Sequence, residues 1–373
     1  MISERALRVD SSGIRKVFEL AAKIENPIDF SIGQPDFDVP DSLKDAAIAA
    51  IRKGFNRYTL TQGIGELREK VLLHIEKTRK RKFSPDEVII TSGTSGGLLL
   101  ALMSILDPGD EVVFFDPYFA MYKHLIRLLD AKPVIVSTYP DFRIDGQKLK
   151  KSISPRTKAI IINSPSNPTG YVCGKKDLDT VINTAREKNL LLITDEIYDG
   201  FVYDNPFISP AEYYDNVLIL GGFSKTYAMT GWRVGFAVGN RELIAQMIKI
   251  QQYSFVCSPA PFQYAAVAAL DTDMSGFRES YSKKRDIIYN GLKEHFNIIK
   301  PGGAFYMFPE LKAGNVTDFV ELAIKNNVLI IPGNVFSELN TNFRLCFATK
   351  DETLKKGAEI LNDLASSYYK KVG

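Results

Sequence analysis

The sequence predicts an α/β protein, with a large domain built on a mostly parallel seven-stranded sheet between helices and a smaller α+β domain beside it. Three observations lead there. Short, nearly all-apolar runs recur between helical patterns up to about residue 240, and such runs belong to strands covered on both faces. At 373 residues the chain exceeds what one hydrophobic core normally organises. After about residue 275 the pattern changes to a long charged helix followed by shorter strands. The expected division is a large domain over 36–275 and a small domain combining 1–35 with 276–373.

In chain order, "DSLKDAAIAAIRKG" (41–54) reads as a helix with Asp41 or Ser42 as N-cap and Gly54 as stop. "GELREKVLLHIEK" is amphipathic and runs into "KTRKRK", Lys77 to Lys82. Cations suit that end of the helix dipole, so the basic run reads as a solvated helix terminus. Strands are expected at 87–90, 111–115, 133–136, 158–162, 190–193, 217–220 and 234–238. An apolar helix, "LLLALMSIL", follows the first, and "GKKDLDTVINTAREKN" (174–189) precedes the fifth. Beyond 275 come the helix "RESYSKKRDIIYNGLKEHF", the strands "GAFYMF", "VLII" and "FRLCFA", and the closing helix "LKKGAEILNDLASSYYKK".

Composition narrows the function classes. With 47 basic and 44 acidic residues, the net charge of +3 gives no footprint for a nucleic-acid partner. Three cysteines, Cys173, Cys257 and Cys346, are odd in number and far apart, which suggests neither a disulfide framework nor a cysteine zinc site. The histidines, His74, His124 and His295, lack ligand-pair spacing, so no metal is expected. Neither a signal-peptide core nor a membrane-length apolar run is found, and a reducing, cytoplasmic setting is expected. The sequon "NVT" at Asn315 reads as a chance match without an export signal.

Chemistry gathers just after the strands, where open α/β sheets bind ligands. "TSGTSGG" (91–97) opens a helix and is either a plain glycine-rich turn or a phosphate site, since free N–H groups and the dipole favour an anion there. "NSPSNPTG" (163–170) holds the amide of Asn167 in a proline-stiffened loop. In "TDEIYDG", Asp195 and Glu196 follow four apolar residues, and carboxylates at that depth need a cation or a proton donor. "GGFSKTYAMTGWRVGF" (221–236) sets Lys225 among apolar residues, and Lys225 and Arg233 are the only charges from Leu218 to Asn240. Taken alone, such a lysine reads more simply as a stem along apolar surface with its charge in water; held out of water, an ammonium's pKa falls and the neutral amine becomes available as a nucleophile. A phosphate cradle, an amide, a buried carboxylate, Tyr198 and such a lysine together meet the needs of pyridoxal phosphate. A phosphate-loop NTPase is opposed by Ser224, which stands where that motif requires glycine, and by the turn and strand that follow Lys225.

These motifs, with "IGQPDFDVP", "YTLTQGIGELREKV", "DPGDEVVFFDPYF", "GGAFYMF" and "FRLCFAT", run through nearly the whole chain. The sequence resembles the class I/II aminotransferases of the aspartate and aromatic aminotransferase superfamily, fold type I pyridoxal-phosphate enzymes. The resemblance implies that Lys225 is the Schiff-base lysine and general acid/base and that Asp195 keeps the pyridine nitrogen protonated. Asn167 and Tyr198 would bond the phenolic oxygen, and Phe119 would stack on the ring. Gly93, Thr94 and Ser95 with Arg233 would hold the phosphate, reached also by Tyr58 from the neighbouring subunit of a homodimer. Arg344 would clamp the substrate α-carboxylate, assisted by Asn167 and the backbone of Gly33. It further implies a ping-pong transfer of the α-amino group of an aspartate, aromatic or broad range of amino acids to a 2-oxo acid such as 2-oxoglutarate. A C–S β-lyase on the same fold is the alternative. A cofactor-sensing regulator is disfavoured because the extra DNA-binding domain is missing. Two departures stand out. Gly222 replaces a serine of many relatives at the phosphate site, and Ser95 replaces a lysine of some aspartate-specific ones, which argues against strict aspartate specificity.

Overall fold

The computed structural model describes residues 1–9 and 26–372. Its central sheet has seven strands: β1 (Val88–Thr91), β2 (Glu111–Asp116), β3 (Lys132–Ser137), β4 (Thr157–Asn163), β5 (Leu191–Asp195), β6 (Val217–Gly222) and β7 (Gly235–Gly239), in the order β1-β7-β6-β5-β4-β2-β3. All run parallel except β7, which is antiparallel to β1 and β6. Each expected strand is present.

Alternate residues of each strand enter opposite cores, the period-two rule of a pleated strand. Ile90, Ile160, Ile162, Leu192 and Ile219 join one cluster. It is covered by α1 (Asp41–Arg52) and α2 (Gly65–Arg79) through Leu43, Leu67, Val71 and Ile75. Ile89, Ile161, Ile193 and Leu218 join the other. That face is covered by α3 (Gly93–Ile105) and α4 (Met121–Leu128) through Leu98, Leu102, Tyr122 and Ile126. Strands buried on both faces have no use for polar residues, hence the continuous apolar runs.

A third core gathers the C-terminal elements. The strand Phe343–Cys346 lies between Tyr306–Met307 and Ile331–Pro332, antiparallel to both, and Ile28–Asp29 pairs parallel with Val328–Leu329. The helices Ser275–Leu292 and Asp351–Val372 close over Phe305, Tyr306, Leu345 and Phe347. Ile28 and Phe30 belong to this core, as expected for the N-terminal segment, while 10–25 lie outside the described residues. Ile197, Tyr198 and Phe201, on the loop after β5, also enter it. That loop therefore joins the sheet's edge to the C-terminal core.

The structure corrects the sequence reading in three places. The first helix is capped at Pro40 without a side-chain cap bond, and Asp41 is already helical. The helix expected to reach Phe296 ends at Leu292, because Phe296–Asn297 pairs with Glu310–Leu311. The basic run at the end of α2 is not wholly solvated: Arg79 is 4% exposed, and its Nε donates to Glu196 Oε2 at 2.7 Å while Nη2 donates to Asp199. Glu196 Oε1 accepts from Thr194 Oγ1 at 3.0 Å and Ser209 Oγ at 2.5 Å. Arg79 is thus the cation that the buried Glu196 requires.

Removing one member of a buried ion pair leaves its partner uncompensated, so Arg79→Ala should lower stability by about 3–5 kcal/mol. Guanidinium unfolding of the variant measures this, and a loss below about 1 kcal/mol, the range of exposed pairs, would contradict the account.

Candidate active site

Strand direction decides which residues meet. The carboxyl ends of β1, β2, β4, β5 and β6 share one edge, and because β7 is antiparallel its amino end lies there too. Arg233 precedes β7 and so reaches the edge that Thr94, Phe119, Asn167, Asp195 and Lys225 reach by following their strands. Together with Gly33, Ser95, Tyr198 and Arg344 these residues line one cleft. Two expected residues stand apart from its lining. Gly93 lies behind Arg233. Tyr58 is 83% exposed on a groove it shares with Phe55, Leu60 and Tyr264.

Lys225 Nζ donates to the Gly33 carbonyl at 2.8 Å and lies over the rings of Tyr198 and Phe305. Burial lowers its pKa to about 8, and the cations of Arg344 and Arg233 push the same way. Above that pH it is a neutral amine. Asp195, 5% exposed, is pushed the other way, up to about 6, by burial. Its Oδ2 accepts from Tyr122 OH at 2.7 Å and Oδ1 from the Ile197 N–H at 3.4 Å, both of which favour the charged form.

Arg344 is 2% exposed between the rings of Tyr306 and Phe336, 4.8 and 4.5 Å from its guanidinium carbon. Nη1 donates to Asn167 Oδ1 at 3.2 Å and Nη2 to the Ser31 carbonyl at 2.7 Å, while Nε has no hydrogen-bond partner. No carboxylate among the described residues pairs with it, so its full charge remains available to an anion. The Asn167 N–H in turn donates to Asn163 Oδ1 at 2.8 Å, which fixes the loop. Tyr198 and Tyr306 share a hydrogen bond between their hydroxyls at 2.9 Å.

At the amino end of α3, Gly93 has φ +67°, and a Cβ there would lie 2.5 Å from Arg233 Nη2. Only glycine lets the guanidinium settle against this turn. Thr94 Oγ1 donates to the Gly221 carbonyl at 3.1 Å. A Cβ at Gly222 would sit 3.1 Å from both Thr94 Oγ1 and Gly235 Cα, so the backbone is drawn close at this position.

Tyr122, Tyr306, Asn163, Met121, Leu98 and Thr230 were not singled out from sequence. Asn163 had a readable signal, as the first polar residue after an apolar strand. Tyr122 and Tyr306 lie in ordinary apolar patterns and carried none.

The cleft is chemically suited to pyridoxal phosphate. A desolvated amine answers an aldehyde, a buried carboxylate answers a pyridinium, and N–H groups at a helix start with an arginine answer a phosphate. No group of three or more metal-ligating side chains is found among the described residues. No helix among them is long and apolar enough to cross a membrane.

This fold and cleft are those of an amino-group-transferring enzyme. The family model for aminotransferase class I and II matches residues 25–361, and the chain belongs to that family, whose enzymes use pyridoxal phosphate. It is 39% identical to a probable aspartate aminotransferase of Methanocaldococcus jannaschii, with 98% of this chain and 100% of that protein covered. It is 37% identical to aromatic-amino-acid aminotransferase 2 of Thermococcus litoralis, with 96% of each covered. Among solved structures, aspartate aminotransferase from Thermus thermophilus with maleate superposes with a TM-score of 0.94 at 32% identity, covering 98% of this chain and 99% of that one. The protein is a pyridoxal-phosphate-dependent aminotransferase.

A lysine whose pKa lies at about 8 is deprotonated well below the ordinary range. In the cofactor-free protein, arylation of Lys225 by fluorodinitrobenzene, read by peptide mass mapping, should therefore rise with pH to a half-maximum near 8. A midpoint near the ordinary value of about 10.4 would contradict the desolvation argument.

Proposed function

We propose that the cleft transfers the α-amino group of an amino acid to 2-oxoglutarate by a ping-pong cycle, with Lys225 as the proton-moving base. The observation that carries this reading is the gathering, in one cleft, of a depressed lysine, a buried carboxylate and an arginine that no carboxylate among the described residues pairs with. When bound, pyridoxal phosphate supplies the aldehyde and the electron sink. Asp195, held by Tyr122, keeps a negative charge for the pyridinium, and Asn167 and Tyr198 face the phenolic oxygen. Thr94, Ser95 and Arg233 would hold the phosphate, with Gly93 giving the Arg233 guanidinium its room, and Phe119 would cover the ring. Arg344 takes the substrate α-carboxylate with Asn167 and Gly33 beside it. A fixed fork fits a carboxylate bidentately. Lys225, a neutral amine above about pH 8, takes the proton from Cα.

The working unit we propose is a homodimer. Exposed Tyr58, Phe55 and Leu60 offer an apolar face, and Phe255, 40% exposed, packs beside Gly96 of α3. Dimerisation over this face would let Tyr58 reach the neighbour's phosphate site. The division at 36 and 275 is supported by the separation of the sheet's two cores from the C-terminal one. Free Cys173, Cys257 and Cys346 agree with a cytoplasmic setting.

Given one amino acid and no acceptor, the holoenzyme should release one equivalent of 2-oxo acid per subunit and then stop until 2-oxoglutarate is added. Lys225→Ala should release none while still binding the cofactor. Arg344→Gln should lower kcat/KM about 30- to 5000-fold, as loss of a buried charged partner costs about 2–5 kcal/mol. Continuous release of pyruvate and ammonia from cystathionine without an acceptor would instead establish a lyase.

A further inference from the structure

The loop that carries Phe119 is fastened to the segment that walls Arg344. Asp116, at the end of β2, is 3% exposed, and its Oδ2 accepts from the Glu338 N–H at 3.2 Å. The Tyr118 N–H donates to the Phe336 carbonyl at 2.8 Å. Tyr139 OH meets Ser337 Oγ at 2.9 Å, and that oxygen accepts from the Leu339 N–H at 2.9 Å. On the outer side, Glu338 Oε1 accepts from Tyr118 OH and from Lys123 Nζ, each at 2.6 Å.

These contacts bracket the cleft. Phe119 lies between Tyr118 and Lys123 in sequence, and its ring meets Tyr122, the donor to Asp195, edge-on with centroids 5.7 Å apart. On the opposite strap Phe336 lies against the Arg344 guanidinium. An isolated half-exposed ion pair contributes little. Glu338 differs in gathering two donors, Tyr118 from the Phe119 loop and Lys123 from the first turn of α4, while its own backbone is held by a buried carboxylate, so the clasp acts on position.

We propose that Glu338 is a positioning residue for substrate: through Lys123 and Tyr118 it sets the spacing between Phe119 and Arg344. This rests on the reading that Arg344 takes the α-carboxylate and Phe119 faces the ring. The carboxylate site at Arg344 and the ring site at Phe119 fix the two ends between which the amino acid must fit, so loosening the clasp weakens substrate binding and leaves the proton transfer at Lys225 unaffected.

The test compares holoenzymes carrying Glu338→Lys, Lys123→Glu and both together. Each single variant should raise KM for the amino acid about tenfold, with kcat within a factor of two. The Kd of 3-phenylpropionate, a carboxylate that cannot react, should rise in parallel by calorimetry. The double variant restores opposite charges and should recover most of both losses, which a merely destabilised fold would not do. If Glu338→Lys fails to fold, Glu338→Gln takes its place, with a shift of about threefold expected. Unchanged KM and Kd, or losses that the charge swap does not recover, overturn the clasp. If the wild-type enzyme itself neither binds the carboxylate nor releases oxo acid, the reading of Arg344 falls and the clasp with it; a fully active wild type matched by Glu338→Lys removes the clasp alone.

Discussion

The withdrawal of charge from water at the carboxyl edge of the sheet is the constraint on which the rest of the structure depends. Lys225, Asp195 and Arg344 each lose hydration there, and each responds differently. The lysine moves toward its neutral form, the carboxylate is drawn toward protonation but held by Tyr122, and the arginine cannot deprotonate and so keeps its charge between two aromatic rings. One environment thereby creates a base, a cation-seeking anion and an anion-seeking cation. The parallel sheet delivers the first two by ending its strands together. The C-terminal core delivers the third.

Two cores must meet for this to happen. The loop after β5 places Tyr198 in the C-terminal core while Asp195 remains at the strand's end. Gly33 reaches from the N-terminal segment to accept from Lys225, and a Cβ at that position would fall 2.2 Å from Tyr306 OH. Nearby, Asp36 accepts from Tyr281 OH and Lys284 Nζ, each at 2.6 Å, which anchors the same segment to the helix at 275–292. The Lys225 acceptor is thus a backbone group fixed from both sides.

The strands and most of the cleft were legible because both follow from local rules. Unbroken apolar runs mark strands covered on two faces, and polar residues at their ends mark the binding edge, which is how Asn167, Asp195 and Lys225 stood out. What was hidden depends on pairing across long separations. Glu196 announced a need for a cation, yet Arg79, 117 positions away, was indistinguishable from its neighbours in a basic run. Tyr122 and Tyr306 looked like other aromatic core residues until their hydroxyls met Asp195 and Tyr198. Tyr58 is exposed, and the role proposed for it lies across a subunit boundary.

Borohydride reduction of the holoenzyme followed by peptide mass mapping tests the central claim most directly, because it fixes the cofactor to whichever amine holds it. The account predicts a single phosphopyridoxyl group on Lys225. Label on another lysine, or none after incubation with pyridoxal phosphate, would contradict it.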